Sequence, residues 1–154
     1  MTESVTTVPA RNKMPRSVLW LGALGLLPFV AASLLAVIAP SIKETAVAAL
    51  IAYGAVILSF LGGALWGLII GRADADRMGG LLVLSVVPSL IGWVSLLLPP
   101  VMALVPLALS FGCWFAVDTR MAKEKIALQW YPRLRMPLTV IVVCCLALAV
   151  FFNA

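Results

Sequence analysis

The acids of this chain are Glu3, Glu44, Asp74, Asp76, Asp118 and Glu124, and there is no histidine to work with them. A Ser-His-Asp or Cys-His nucleophile, a zinc-histidine centre and a bis-histidine haem are therefore excluded. Asp118 is the acid whose position demands a partner. It follows the apolar run Phe115-Ala-Val117, at the C-terminal end of an expected helix. There the macrodipole is already negative and an anion needs a compensating cation. Arg72, Arg77, Arg120, Arg133 and Arg135 fall on the same side of the chain. Two chemistries fit: an interfacial ion pair tying this helix to a neighbour, which is the expected one, or a headgroup or anionic-ligand site in which Asp118 orients an arginine. The string Arg72-Ala-Asp74-Ala-Asp76-Arg77 reads as a self-neutralised charged turn, with fewer oxygens than a Mg²⁺ or Ca²⁺ site draws. Cys113, Cys144 and Cys145 read as small packing residues, since adjacent cysteines on a helix point about 100° apart and cannot easily bridge. No GK[ST] ending marks a phosphate loop. The expectation is a protein without metal or cofactor, and not an enzyme.

The elements that position these residues are legible from where charge is missing. Five stretches, 17–39, 46–70, 80–98, 100–117 and 136–152, contain no Lys, Arg, Asp, Glu or His. A charge at the bilayer centre costs at least ~2.5 kcal/mol, so this segregation is what a lipid solvent imposes. The fold class expected is all-α, a polytopic membrane protein folded as a compact bundle of five transmembrane helices, occupying 17–154 behind a mobile cytoplasmic tail, 1–16. Five spans put Arg11, Lys13, Arg16, Arg72, Arg77, Arg120, Lys123, Lys125, Arg133 and Arg135 on one side and Lys43 alone on the other. By the positive-inside rule the N-terminus is cytoplasmic and the C-terminus periplasmic. The competing reading of the first stretch, a signal peptide cleaved after 30–32, needs a shorter apolar run than 17–39, so a retained helix is expected. The net charge of +5 reads as topology, and nucleic acid is excluded as a partner because no basic face on a soluble fold exists to bind it.

Within the second span Ala55, Ser59, Gly63, Gly67 and Gly71 recur every four residues, with Gly62 beside them. Such a small-residue ridge lets a second backbone approach closely in lipid. Packing against another span of the same chain is expected, with a homodimer or partner seam as the alternative. Between spans four and five, 119–131 mixes Met121, Ile126 and Ala127 with Lys123, Glu124 and Lys125 and predicts a short amphipathic helix on the membrane surface. Trp130 and Tyr131 are expected as interfacial anchors.

Four passages carry a family resemblance: Tyr53-Gly-Ala-Val-Ile-Leu-Ser-Phe-Leu-Gly-Gly-Ala-Leu-Trp-Gly67, Val87-Pro-Ser-Leu-Ile-Gly-Trp93, Asp118, and Trp130-Tyr-Pro-Arg-Leu-Arg-Met-Pro-Leu-Thr139. In that order they resemble an uncharacterised inner-membrane family of proteobacteria whose animal relatives, the transmembrane protein sixty-nine group, are mitochondrial. The resemblance spans about 17–152 and implies a topology and the bacterial inner membrane, with no activity attached. Relatives often carry His where this chain has Leu65. The string Trp130-Tyr131-x-x-Leu134-x-x-Pro137 is also similar to one in the tryptophan-rich translocator proteins. There it lies early in the chain, and the other tryptophan-rich motifs of that family are absent here.

Function is then expected to be non-enzymatic: an accessory or assembly subunit that binds other membrane proteins or itself, in contact with membrane lipids. The alternative is a carrier or sensor of a lipid or apolar small molecule, held between kinked spans one and three near Trp66, Trp93 and Ser89.

Overall fold

The computed structural model describes residues 14–71 and 78–153. The N-terminal tail, with Arg11 and Lys13, and the turn bearing Arg72, Asp74, Asp76 and Arg77 lie outside the described residues. Five helices follow one another: α1 (Arg16–Ile38), α2 (Lys43–Ile70) after a 3₁₀ turn at Pro40–Ile42, α3 (Gly79–Ser95), α4 (Pro100–Lys123) and α5 (Tyr131–Asn153). Four of them are long and apolar enough to cross a membrane, and α3, at 17 residues, is shorter. At 1.5 Å per residue α3 covers about 26 Å, somewhat less than a ~30 Å hydrocarbon core.

The expected third span reached 98, and proline chemistry shortens its helical part. Pro99 disfavours the helical conformation in the residue before it. The chain therefore tightens after Ser95, and the amides of Leu97 and Leu98 bond the carbonyls of Val94 and Ser95, three residues back, at 3.0 and 3.4 Å. Pro100 then opens α4 at a first-turn position, where its missing N–H costs nothing.

The connection after α4 also departs from expectation. No separate amphipathic helix forms over 119–131. Arg120, Met121, Ala122 and Lys123 are strong helix formers and prolong α4, burying Met121 and Ala122. The helix closes in a Schellman turn: Ile126 N–H bonds Met121 O at 2.9 Å and Lys125 N–H bonds Ala122 O at 3.2 Å. Lys125 takes the left-handed position, φ 57°, that glycine usually fills. α5 then begins at Tyr131 rather than 136, with Pro132 tolerated in its first turn.

α2 packs on α1, α3 and α4, α4 packs on α2, α3 and α5, and α1 packs on α5. α2 is thus the most enclosed long helix and α1 the least. Near the middle, Phe29 of α1 meets Tyr53 of α2 and Phe111 of α4 edge-to-face, with ring centroids 5.0 and 5.8 Å apart. Pro28 removes one backbone hydrogen bond from α1, and the Tyr53 hydroxyl donates to the neighbouring carbonyl of Gly25 at 3.0 Å. Leu50, Leu58, Ile69, Leu104, Leu107 and Leu146 fill the rest of the core with no exposed surface. α1 closes on α5 at Gly22, where a Cβ would stand 3.1 Å from Leu138 Cδ1.

Helix direction is fixed at the end opposite the basic connection. Lys43 Nζ donates to Phe152 O at 2.6 Å, so the start of α2 lies beside the end of α5. A lysine there satisfies one of the carbonyls that the last turn of a helix leaves open.

Candidate functional site

Asp118 faces α5. Arg135 Nε donates to Asp118 Oδ2 at 2.8 Å, and the side chains are 8% (Arg135) and 11% (Asp118) exposed. The pair joins the last turns of α4 to the first turns of α5, with Arg135 one turn inside the helix start. Of the other arginines considered for this role, Arg120 bonds Glu124 four residues on, in the open, at 2.8 Å, and Arg133 is exposed. Arg72 and Arg77 lie outside the described residues. Asp118 takes only one of the guanidinium nitrogens: Arg135 Nη2 is buried without an acceptor, as are Trp130 Nε1 and Thr139 Oγ1. Thr139, one turn further along α5 on the Arg135 face, was not singled out from sequence; its i, i+4 spacing from Arg135 is the signal that would have found it.

Trp130 and Tyr131, expected as interfacial anchors, are both half-buried, with ring centroids 6.4 Å apart. The outward-pointing tryptophans are Trp20, Trp66 and Trp93, at 71%, 43% and 60% exposure. Cys113 and Cys144 also lie on the outer face of the bundle, so they are not core packing residues.

Beyond Ala55, the small-residue ridge of α2 does not pack against another helix among the described residues. Gly63, Gly67 and Gly71 are exposed and Ser59 is partly so. A Cβ at Gly63 or Gly67 would meet nothing within 4 Å. The internal seam runs instead through Ala55 and Gly62. Gly62 lies against the carbonyl of Ser85 so closely that a Cβ has no room, and Pro88 Cγ stands 3.3 Å from the same point. Two turns away, a Cβ on Gly92 would stand 3.0 Å from Ala55 O. The physical reason is helical period. Residues four apart drift about 40° per step round the helix, whereas residues seven apart stay within about 20° of one line. Ala55 with Gly62, and Ser85 with Gly92, have that seven-residue spacing and hold α2 and α3 at backbone contact.

A protein-family model described as "Protein of unknown function (DUF3429)" matches residues 14–151. The chain belongs to this family. It is also 35% identical over 139 residues to transmembrane protein 69 of Xenopus tropicalis, an alignment covering 88% of this chain and 54% of that protein. The chain thus spans about half the length of that curated relative. No solved structure matches. Family membership accords with the resemblance seen in the residues and with a multi-pass helical membrane protein. In this member the position is occupied by Leu65, buried at 5% exposure in the apolar core.

Proposed function

We propose that this chain is a non-enzymatic subunit of the bacterial cytoplasmic membrane that assembles with another membrane protein, or with itself, through the Ser59-Gly63-Gly67 face of α2. The observation that carries the reading is the contrast along one helix. The side bearing Gly62 is packed to backbone contact within the chain, while at Gly63 and Gly67 an added Cβ would meet nothing within 4 Å among the described residues. Glycine is a costly residue in a helix interior, ~1 kcal/mol worse than alanine, and in lipid it repays that cost where another backbone comes close. The fully buried apolar side chains at the centre of the bundle, Leu50, Leu58, Leu104, Leu107 and Leu146, support the same reading. The carrier alternative finds less support, since Trp66 and Trp93 face outward instead of lining an interior cavity. An apolar recess of about 310 Å³, lined by Leu90, Ile91, Val94, Ser95, Leu98 and Pro106, lies between α3 and α4 and suits an acyl chain of the surrounding bilayer.

The double substitution Gly63→Leu with Gly67→Leu should abolish co-purification of the partner, or shift the mass of a self-assembled species, while leaving thermal unfolding of the isolated chain unchanged. Retention of the same assembly by the double variant would overturn the docking face. The orientation is N-terminus in the cytoplasm and C-terminus in the periplasm, supported by the basic residues gathered at one end. A periplasm-dependent reporter fused after Ala154 should be active and one inserted at 124–130 silent, and the reverse pattern would contradict it.

A further inference from the structure

A shallow groove of about 280 Å³ opens where the end of α4 meets the start of α5, lined by Thr119, Ala122, Lys123, Gln129 and Pro132. Helix spacing places it. Ala122 stands one turn beyond Asp118 on α4, and Pro132 about one turn before Arg135 on α5. The groove therefore lies immediately outward of the buried ion pair, toward the end of the bundle that carries the basic connection.

Charge at this end is unbalanced. Asp118 is taken by Arg135 and Glu124 by Arg120, so both acids of the connection are already paired. Lys123, Lys125 and Arg133 are exposed and, among the described residues, have no carboxylate partner. The surplus is one of donors as well as charge, because Arg135 Nη2 and Trp130 Nε1 are both buried without an acceptor. The Thr119 hydroxyl donates to Phe115 O at 2.9 Å and is spent. Lys123 and the Gln129 amide are then the groove-lining groups available to reach a ligand. What they match is a compact anion rich in acceptor oxygens. A lysine meets a phosphate as a point charge without strict geometry, and basic pockets between membrane helices suit anionic headgroups. The outer faces of α4 and α5 are apolar directly below: Leu109, Met136 and Val140 are 65%, 59% and 54% exposed, a surface for the acyl chains attached to such a headgroup.

We propose that this groove binds a phosphate group, held by Lys123 and Gln129, and that its source is an anionic glycerophospholipid whose chains lie along α4 and α5. The site is separate from the α2 face, and its test is independent of what docks there. The full-length protein in a neutral detergent is titrated with phosphatidylglycerol, phosphatidylcholine or inorganic phosphate while thermal unfolding is followed. Phosphatidylglycerol should raise the midpoint and phosphatidylcholine should not. Lys123→Gln combined with Gln129→Ala should weaken the phosphatidylglycerol response about tenfold, the scale of one lost charge-assisted contact, without changing the lipid-free midpoint. Lys123→Arg should retain it. Lys125→Gln removes the same charge from the same connection outside the groove lining and should leave the response intact. If inorganic phosphate alone reproduces the shift, the phosphate site stands and its source is soluble. Equal responses to the two lipids, or a loss from Lys125→Gln equal to that from Lys123→Gln combined with Gln129→Ala, would overturn the site.

Discussion

Gly62→Ala is expected to destabilise the bundle by about 2–3 kcal/mol, at the upper end of what overpacking costs, while Gly63→Ala next to it is neutral or stabilising by up to ~1 kcal/mol from helix propensity. The two substitutions add the same methyl to the same helix. At Gly62 that methyl meets the Ser85 carbonyl oxygen and Pro88. Neither is the flexible tip of a side chain, so α2 and α3 must separate along the seam that also holds Ala55 against Gly92. At Gly63 there is nothing within 4 Å to displace. Unfolding of both variants in mixed micelles, followed by helical circular dichroism, provides the comparison. Equal stabilities would mean that the α2–α3 contact is not the close one described.

Asp118→Asn should cost about 3–5 kcal/mol, because it leaves Arg135 buried with its charge unanswered. The structural fact behind this figure is that both side chains are about nine-tenths buried and joined at 2.8 Å. Removing both charges together should be far milder than removing one. In Asp118→Asn with Arg135→Met the unpaired guanidinium disappears, and replacement of a buried pair by apolar or neutral groups is often neutral or better. A double-mutant cycle in the same micelles measures the coupling. If the losses from Asp118→Asn and Arg135→Met simply add, the two residues do not act as a pair in the folded protein. If Asp118→Asn leaves stability untouched yet removes the protein's cellular role, Asp118 serves a ligand and not the fold.

Spans and their number were readable because lipid excludes charge, a one-body constraint that leaves its mark on every residue of 17–39 or 136–152. Which face of a span points inward was not readable in this way. Lipid and core are equally apolar, so Val56 and Phe60, 63% and 67% exposed, look no different in text from Leu58 and Leu61, which are buried. The ridge from Ser59 to Gly71 was visible and its surroundings were not, since small residues mark close approach without saying whose backbone approaches. Asp118 was legible as an acid needing a cation. The choice of Arg135 over four other arginines depended on α5 starting at Tyr131, and an expected start at 136 hid that arginine's place on the inner face. The Schellman turn at Lys125 escaped notice because a lysine occupies the left-handed position, for which no glycine or asparagine gave warning.

The closure of α1 on α5, and of Lys43 on the last turn at Phe152, bears on how the protein is made. Hairpins α2–α3 and α4–α5 join neighbours in the chain and form as soon as each second helix emerges, since short loops cost little entropy to close. α1 has no such neighbour on its α5 side until α5, four helices further along the chain, has emerged. It waits in the bilayer with the Gly22 surface bare, and α5 supplies both its missing flank and the carbonyl that Lys43 caps. A truncation ahead of α5 would thus present an unfinished seam to membrane quality control, and α5 is the element that seals it.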